Sequence, residues 1–229
     1  MRVALVALGH SCTEYMELTF GAGGRKRIFD ETWGINAAGD VIHCDKIFHM
    51  DDVKVQELRA EAGNEKVRAM LAWMKTHPGP IFTSKAYPDY PGLVEYPLED
   101  VVNALGANYF NNTTPYVIAY AAFIGVKELF LFGVDYTYPN MQEAERGRAC
   151  CEYWIRAAQE RGCEVSVAAN STIMDAFKGK CYGYDAVDIE WKQEDGRFKP
   201  VMTPKELPTA EEIEKRYDSY SLFRERTEK

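Results

Sequence analysis

The sequence contains no hydrophobic run long enough to cross a membrane. Its first apolar stretch, Val3 to Leu8, stops at Gly9, whereas a transmembrane helix needs about 20 predominantly apolar residues. The longer apolar region and small-residue cleavage site of a secretory signal peptide are also missing. We therefore expect a cytoplasmic protein without a signal peptide or a membrane span.

Zinc-binding and redox patterns are absent as well. The six cysteines stand at positions 12, 44, 150, 151, 163 and 181, with no Cys-x-x-Cys pair and no histidine after His77. A Cys/His zinc site needs ligands at short, regular spacings. The sequence therefore predicts free, buried thiols.

Positive charge is scarce relative to negative charge. The chain has 27 lysines and arginines against 35 aspartates and glutamates, which gives a formal net charge of −8. Such a charge repels nucleic acid backbones and anionic membrane surfaces, so nucleic acid is disfavoured unless a local basic patch exists. We predict that the basic segment Gly21 to Arg27 is a flexible surface turn, with phosphate contact as the alternative.

Two common nucleotide-binding motifs are missing. The sequence has neither Gly-x-Gly-x-x-Gly nor Gly-x-x-x-x-Gly-Lys-Ser/Thr. These motifs cradle phosphates in the usual dinucleotide-binding domains and in P-loop ATPases. Both classes are therefore disfavoured.

What the sequence does contain is an alternation of short apolar segments with helical patterns. The predicted strands are Arg2–Leu8, Lys46–Met50, Pro80–Ser84, Glu128–Val134 and Cys163–Ala168, and the predicted helices are Val53–Lys75, Tyr116–Val126 and Met141–Arg161. This alternation predicts an α/β, Rossmann-like fold with a largely parallel central sheet flanked by helices. The pattern decays near residue 178. We predict a Rossmann-like domain over residues 1–177 and a C-terminal helical extension over residues 178–229, which packs on the domain or on a partner subunit.

Polar residues follow each predicted strand. They are Gly9, His10 and Ser11; Asp51 and Asp52; Thr83 and Ser84; Asp135 and Tyr136; and Asn170 and Ser171. Because parallel strands joined by right-handed crossovers end at one edge of the sheet, and ligands bind along that edge, we expect these groups to converge.

Several of these residues have two interpretations. Ser11 can cap the next helix or donate to a phosphate, and Gly9 permits close approach of a backbone. Asp135 can contact a ligand or cap a neighbouring helix; we predict ligand contact and a catalytic role for it, in orienting a donor, an acceptor or a metal. We predict ligand contact, with Mg²⁺ as a candidate, for Asp51 and helix capping for Asp52.

His10 is the histidine expected at the ligand edge, so it is our candidate general base. His43 and His49 are expected to have no catalytic function.

The segment Asn111-Asn-Thr-Thr-Pro115 precedes a strongly apolar helix. Thr114 is a candidate N-cap and Pro115 suits the first helical position. The free N–H groups and positive dipole end of this helix could bind a phosphate. The alternative is that Thr114 only starts the helix.

The stretch from Thr113 through Gly133-Val-Asp135 resembles a segment shared by small bacterial sialyltransferases and the MptE-like hydroxymethylpterin pyrophosphokinases. In both families, a Thr/Ser-initiated helix leads through a glycine turn into a strand ending in Gly-hydrophobic-Asp. Gly9-His10-Ser11 resembles their glycine-rich turn, and Trp33-Gly-Ile-Asn36 their Asn-bearing segment. The resemblance covers roughly residues 1–175.

The resemblance implies a nucleotide-binding transferase. It assigns Gly9, Ser11 and Asn36 to the nucleotide, Thr113 and Thr114 to the base or ribose, and Asp135 with Tyr136 to the phosphate side. It also places Tyr138 near a phosphate-binding tyrosine, at a shifted spacing. The sialyltransferases use a histidine well after the Gly-hydrophobic-Asp motif as general base, and this sequence has none after His77.

We therefore expect a nucleotide-dependent transferase, with a glycosyltransferase that uses a nucleotide-activated sugar as the leading hypothesis. The first alternative is an MptE-like diphosphokinase that uses ATP and Mg²⁺. The second is a non-catalytic protein that binds or sequesters nucleotides. The donor is a small molecule, the acceptor is open, and the charged C-terminal extension makes a homodimer a reasonable expectation.

Overall fold

The structure, a computed structural model, describes residues 1–137, 139–174, 181 and 183–218. The chain divides into two compact units, residues 1–175 and residues 176–229.

The first unit is built on a seven-stranded sheet. Its strands are β1 (Arg2–Val6), β2 (Glu31–Ile35), β3 (Lys46–Phe48), β4 (Ile81–Thr83), β5 (Leu93–Glu95), β6 (Glu128–Phe132) and β7 (Glu164–Val167). Their spatial order is β5-β4-β3-β2-β1-β6-β7, and every neighbouring pair runs parallel. The predicted α/β, Rossmann-like fold with a parallel central sheet is confirmed.

Helices connect the strands. Within the described residues of this unit they are α1 (Cys12–Gly21), α2 (Ala38–Val41), α3 (Val53–Glu61), α4 (Glu65–Thr76), α5 (Leu98–Leu105), α6 (Thr113–Phe123) and α7 (Met141–Glu160). The single helix predicted over residues 53–75 is wrong. Gly63 adopts a φ of +96°, and the Asn64 side chain accepts a hydrogen bond from the Val67 N–H at 3.2 Å, so the chain turns and a second helix begins.

Two strands lie outside the sequence prediction. β5 is only three residues long, and β2 interrupts its apolar residues with Thr32 and Gly34. Thr32 is nevertheless fully buried, because its hydroxyl lies 3.1 Å from the Tyr15 hydroxyl in a shared hydrogen bond. A tertiary partner thus makes a polar residue compatible with an internal strand.

An aromatic cluster holds α6 against the sheet. Phe48 and Phe82, from adjacent strands, stack with ring centroids 4.9 Å apart, and Trp33 lies 5.6 Å from Phe48. Tyr120 of α6 contacts all three rings at 5.1–5.7 Å. These contacts place the start of α6 at the carboxyl edge of the sheet.

All six cysteines are free, as predicted. Cys150, Cys151 and Cys163 are buried, whereas Cys12, Cys44 and Cys181 are only half-buried, so the prediction of buried thiols holds for three of the six. Burial raises the pKa of the Cys151 thiol to about 12. A protonated, buried thiol packs as a small apolar side chain.

The basic segment ending at Arg27 forms a turn and a short 3₁₀ helix, Arg25–Arg27, and two of its side chains have acidic partners. Arg25 forms a two-pronged salt bridge with Asp45, and the Lys26 ammonium donates to the same carboxylate at 3.0 Å. The Thr32 N–H also donates to Asp45, at 2.8 Å. Two side chains of the segment, those of Arg25 and Lys26, therefore bond to the turn before β3.

The second unit contains a hairpin that the sequence analysis missed. Its antiparallel strands are β8 (Val187–Glu194) and β9 (Arg197–Pro204), followed by α8 (Ala210–Asp218). Asp195 and Gly196 join the strands with positive φ values of 50° and 73°, which is typical of a tight two-residue turn. The predicted C-terminal helix is present in part, and residues 219–229 lie outside the described residues. Among the described helices, none is long and apolar enough to span a bilayer.

Candidate nucleotide site at the β1–β6 junction

The strand order changes direction between β1 and β6. From β1 the chain builds outward through β2, β3 and β4 to β5, and then returns to add β6 and β7 on the other side of β1. The connections on the two sides of this junction diverge, which leaves a crevice outside the carboxyl ends of the strands.

A cavity of about 380 Å³ lies at this crevice. Its lining comes from the ends of β1, β2 and β6 and from the start of α6: Ala7, Leu8, Gly9, Ile35, Asn36, Ala37, Thr114, Gly133, Val134, Asp135, Tyr136 and Thr137. We call it the junction cavity.

Five residues proposed from the sequence line this cavity together: Gly9, Asn36, Thr114, Asp135 and Tyr136. The lining does not include four others: His10, Ser11, Asp51 and Thr113. Tyr138 lies outside the described residues.

Asp135 is held by the turn between β1 and α1. Its side chain is 1% exposed. One carboxylate oxygen accepts from the Ser11 N–H at 2.8 Å, and the other accepts from the Ser11 hydroxyl at 2.5 Å. The Ser11 hydroxyl oxygen accepts in turn from the Gly133 N–H at 2.9 Å. Asp135 therefore holds the residue that precedes α1, and its contact with a ligand stays a prediction.

Gly9 is required by the same packing. A Cβ atom at this position would lie 2.3 Å from the Asp135 carboxylate and 2.5 Å from the Gly133 carbonyl oxygen. Both distances are shorter than atomic contact permits. Gly9 thus allows the chain after β1 to approach the chain after β6 closely.

His10 bridges Asp135 to the loop that follows β7. Its Nδ1 lies 3.0 Å from the Asp135 carboxylate, and its Nε2 lies 2.8 Å from the Asn170 carbonyl oxygen. Both ring nitrogens thus lie beside protein oxygens, so His10 joins Asp135 to this loop, and its role as general base stays a prediction.

The loop after β7 is fastened at several points, which the sequence analysis did not anticipate. Glu14 of α1 accepts from the Ala169 and Asn170 N–H groups at 2.8 and 2.7 Å. Ser171 donates to the Val134 carbonyl at 2.7 Å, and Thr172 donates to the Asp135 carbonyl. The end of β6 is therefore held rigidly beside the cavity.

The start of α6 differs from the prediction. The N-cap is Asn112, whose side-chain oxygen accepts from the Thr114 N–H at 3.2 Å, and the helix begins at Thr113. Pro115 is the third helical residue and has no N–H. Two of the first-turn donors are therefore capped or missing, so the helix end offers fewer free N–H groups than expected, while the Thr114 side chain faces the cavity.

Tyr136 connects the cavity to α6 and α7. Its hydroxyl donates to the Asn112 side chain at 2.9 Å, and its backbone adopts a φ of +47°. A Cβ atom at Gly147 of α7 would lie 2.4 Å from the Tyr136 ring, so only glycine leaves room for the ring. Tyr136, which lines the cavity, is thus bonded directly to Asn112, the N-cap of α6.

Asn36 sits at the end of β2 with its backbone in the left-handed region, at a φ of +51°. Its side-chain oxygen lies 3.0 Å from Nδ1 of His49, which follows β3. His49 is 2% exposed. The sequence analysis placed His49 inside the predicted strand Lys46–Met50 and left it without a function, whereas β3 ends at Phe48 and brings His49 to the edge of the sheet.

The two aspartates after β3 have different environments. Asp52 caps α3 as predicted, accepting from the Lys54 and Val55 N–H groups at 2.8 and 3.1 Å. Asp51 is exposed, and the described residues contain no group of three His, Cys, Asp or Glu side chains placed to hold a metal. A metal role for Asp51 gains no support from its neighbours.

A second cavity of about 670 Å³ lies at the same edge of the sheet, where β4 and β5 end. Its wall includes Ser84, Glu95, Tyr96, Phe110 and Tyr116. Thr114 and Tyr116 are two positions apart on α6, so they project to different sides of the helix. The first turn of α6 therefore contributes to both cavities.

Among solved structures, the chain is similar to the sialyltransferase CstII from Campylobacter jejuni, determined in complex with a substrate analogue, CMP-3FNeuAc. The two sequences are 13% identical, the similarity covers 93% of this chain and 98% of that chain, and the TM-score is 0.43. No protein-family model matches the sequence, and no curated protein does. At this level the similarity does not extend to individual site residues, so function has to be argued from the site.

Proposed function

We propose that this protein binds a nucleotide-activated sugar in the junction cavity and transfers the sugar to an acceptor hydroxyl. The observation that carries the proposal is the position of the cavity, at the carboxyl ends of β1 and β6 where the strand order reverses. Open α/β sheets bind nucleotides at this point. The cavity volume of about 380 Å³ is also in the range of small-molecule sites.

The lining combines apolar walls with a few polar groups. Ala7, Leu8, Ile35 and Val134 supply apolar surface, while Asn36 and Thr114 supply hydrogen-bonding side chains. Small-molecule sites commonly have this composition, because apolar walls bury the ligand and a few polar groups orient it.

The leaving phosphate belongs near the first turn of α6 in this proposal. The Thr114 hydroxyl can donate to a phosphate oxygen, and the positive end of the helix dipole stabilises the charge that develops there. Asp135 keeps its structural contacts to Ser11 and His10 and fixes the floor of the site. Its carboxylate is therefore already engaged and does not need to hold a metal for this chemistry.

The resemblance of residues 113–135 to the nucleotide-dependent transferases supports a nucleotide ligand. Among the alternatives, a diphosphokinase would need carboxylates to position Mg²⁺ on ATP. Among the described residues that line the junction cavity, Asp135 is the only one with a carboxylate, and both of its oxygens bond to Ser11. The lining thus favours a donor whose leaving group is stabilised by hydroxyl and helix-end donors.

A ligand screen tests the proposal. Thermal unfolding is measured with CMP, UDP and GDP, with sugar conjugates of each, and with ATP plus Mg²⁺. A ligand at one hundred times its dissociation constant adds about 2.7 kcal/mol of stability. We expect a nucleotide sugar to raise the unfolding temperature and mass spectrometry to show the free nucleotide after addition of an acceptor mixture.

The other outcomes separate the alternatives. AMP release from ATP would establish a diphosphokinase. Tight binding without turnover would establish a non-catalytic binding protein. No shift with any nucleotide would overturn nucleotide binding altogether.

A further inference from the structure

Asn36 is a polar residue at the end of β2 that lines the junction cavity. Its side chain has one hydrogen-bond partner among the described residues. Its side-chain oxygen lies 3.0 Å from Nδ1 of His49. An amide oxygen can only accept, so the His49 nitrogen is the donor. With the oxygen occupied, the group that Asn36 has left for a cavity ligand is its NH₂.

The backbone around this pair is also fixed. The Asn36 N–H donates to the Phe48 carbonyl at 2.9 Å, and the His49 N–H donates to the Phe82 carbonyl at 2.8 Å. These bonds extend the β2–β3–β4 ladder by one residue beyond each strand. The two side chains therefore start from positions that the sheet sets, and only the amide rotation of Asn36 is left to determine.

The environment of His49 is unfavourable for a polar ring, because the ring is buried and one of its nitrogens lacks a partner among the described residues. It is 2% exposed, and its Nε2 is buried without a hydrogen-bond partner among the described residues. Burial lowers the pKa of His49 and the nearby Asp51 opposes the shift, with a net lowering. A neutral ring carries one N–H, and the bond to Asn36 places it on Nδ1.

A buried nitrogen without a hydrogen-bond partner destabilises the folded protein. An apolar side chain of similar size would avoid this cost in the same place. The cost is explained if the Nδ1–H is needed for something that an apolar residue cannot do. Orienting the amide of Asn36 is the one interaction of that nitrogen that the structure shows.

We propose that His49 is a positioning residue, which fixes the Asn36 amide so that its NH₂ donates to an acceptor oxygen of the bound nucleotide sugar. The inference rests on the proposed function, because it needs a ligand in the junction cavity. Without His49, the amide can turn through 180° and present its oxygen to the ligand. That orientation repels phosphate, carbonyl and ether oxygens.

Substitutions at His49 separate orientation from bulk. In His49→Asn, the side-chain NH₂ lies the same number of bonds from Cα as Nδ1 does, so it can donate to Asn36 in the same way. In His49→Gln the NH₂ lies one bond further out, and in His49→Leu there is no donor. Calorimetric titration uses the CMP, UDP or GDP sugar that shifts the wild-type protein, and circular dichroism confirms folding.

We expect His49→Leu and His49→Gln to weaken binding about three- to tenfold, while His49→Asn restores affinity close to that of the wild type. In an Asn36→Ala background, His49→Leu should cause no further loss, since the effect passes through Asn36. If His49→Leu does not fold, the affinities of His49→Asn and His49→Gln for the nucleotide sugar test the inference in the same way.

Two results would overturn the inference. One is that His49→Asn, His49→Gln and His49→Leu all bind the nucleotide sugar with the same affinity. Because the wild type still binds it, that result leaves the proposed function intact. The other is a ¹⁵N NMR spectrum that places the His49 proton on Nε2, which needs no ligand at all. A wild-type protein that binds none of the probes would overturn the proposed function and this inference together.

Discussion

Ser11, Asp135 and His10 form a single hydrogen-bonded unit at the junction of β1 and β6. Asp135 receives three donors, two from Ser11 and one from His10. The residue types alone are those of catalytic sites, a serine, a histidine and an aspartate. Their geometry is different, because the serine hydroxyl donates to the aspartate and the histidine bonds to a backbone carbonyl.

Asp135→Asn tests this structural role. The amide would place an NH₂ against the Ser11 donors or the His10 ring, so a buried donor would lose its acceptor. We expect the free energy of unfolding to fall by about 2–4 kcal/mol, and the folded fraction to keep its nucleotide affinity. Denaturant unfolding and calorimetric titration measure the two quantities.

Asp51→Asn is the matched control for that substitution. Asp51 is exposed and follows β3, so Asp51→Asn should change the free energy of unfolding by less than about 0.5 kcal/mol. Unchanged stability of Asp135→Asn, combined with lost binding, would instead make Asp135 a ligand-contacting residue.

At the scale of elements, the start of α6 carries the next prediction. Asn112 caps the helix, so Thr114 can be changed without removing the cap. Thr114→Val should weaken nucleotide binding by about ten- to a hundredfold, as expected for a lost hydrogen bond to a charged phosphate. Calorimetric titration measures the affinity.

Thr113→Val provides the comparison, because Thr113 is the adjacent threonine of the same turn but does not line the junction cavity. Its affinity should match that of the wild type. If the two variants behave alike, the phosphate does not lie at Thr114.

The anchored turn at residues 25–27 should make stability depend on acidity. Burial raises the pKa of Asp45, but hydrogen bonds from Arg25, the Thr32 N–H and Lys26 outweigh it and leave the pKa well below its ordinary value. A carboxyl group with a lowered pKa in the folded state stabilises the protein above its unfolded pKa of about 3.9. This contribution disappears as the pH falls below 3.9 toward the folded-state pKa.

Asp45→Asn should therefore lower the free energy of unfolding by about 1–3 kcal/mol at pH 7. It should also flatten the loss of stability below about pH 4. Urea unfolding at a series of pH values measures both effects, with Glu17→Gln as the control, since Glu17 is an exposed acid on α1. Parallel pH profiles for the wild type and Asp45→Asn would contradict the prediction.

At the scale of the whole molecule, the buried clusters belong to the first unit. The described core residues run from Val3 to Ile173, and they fill both faces of the seven-stranded sheet. The hairpin β8–β9 contributes none of them, and Trp191 and Phe198 in it are 48% and 69% exposed. The first unit thus has a core of its own.

We expect a chain ending at residue 175 to fold independently and to keep the nucleotide affinity of the full chain. Circular dichroism, thermal unfolding and calorimetric titration test this expectation. An aggregated or unfolded fragment would show that the second unit is needed for folding. A folded fragment without nucleotide affinity would show that the second unit is needed for the site.

The fold class follows from the local pattern of the sequence alone. Continuously apolar strands such as Glu128–Val134, alternating with helices, are compatible with few arrangements other than a parallel sheet. Residues at strand ends are then expected to gather at one edge, and Gly9, Asp135 and Tyr136 line one cavity there. Asn36 and Thr114 line it too, but they were selected by the family resemblance and by the start of a helix. These inferences succeed because they depend on local pattern and chain direction.

Tertiary structure alone decided what each polar group bonds to. Whether Asp135 faces a ligand or Ser11, whether His10 has a free nitrogen, and whether Thr114 or Asn112 caps α6 all depend on atoms far apart in the chain. The pairing of Asn36 with His49 and the burial of Thr32 beside Tyr15 have the same origin. Hydrogen-bond partners are set by the packing of strands and helices to within a fraction of an ångström, which no local pattern of residue types records.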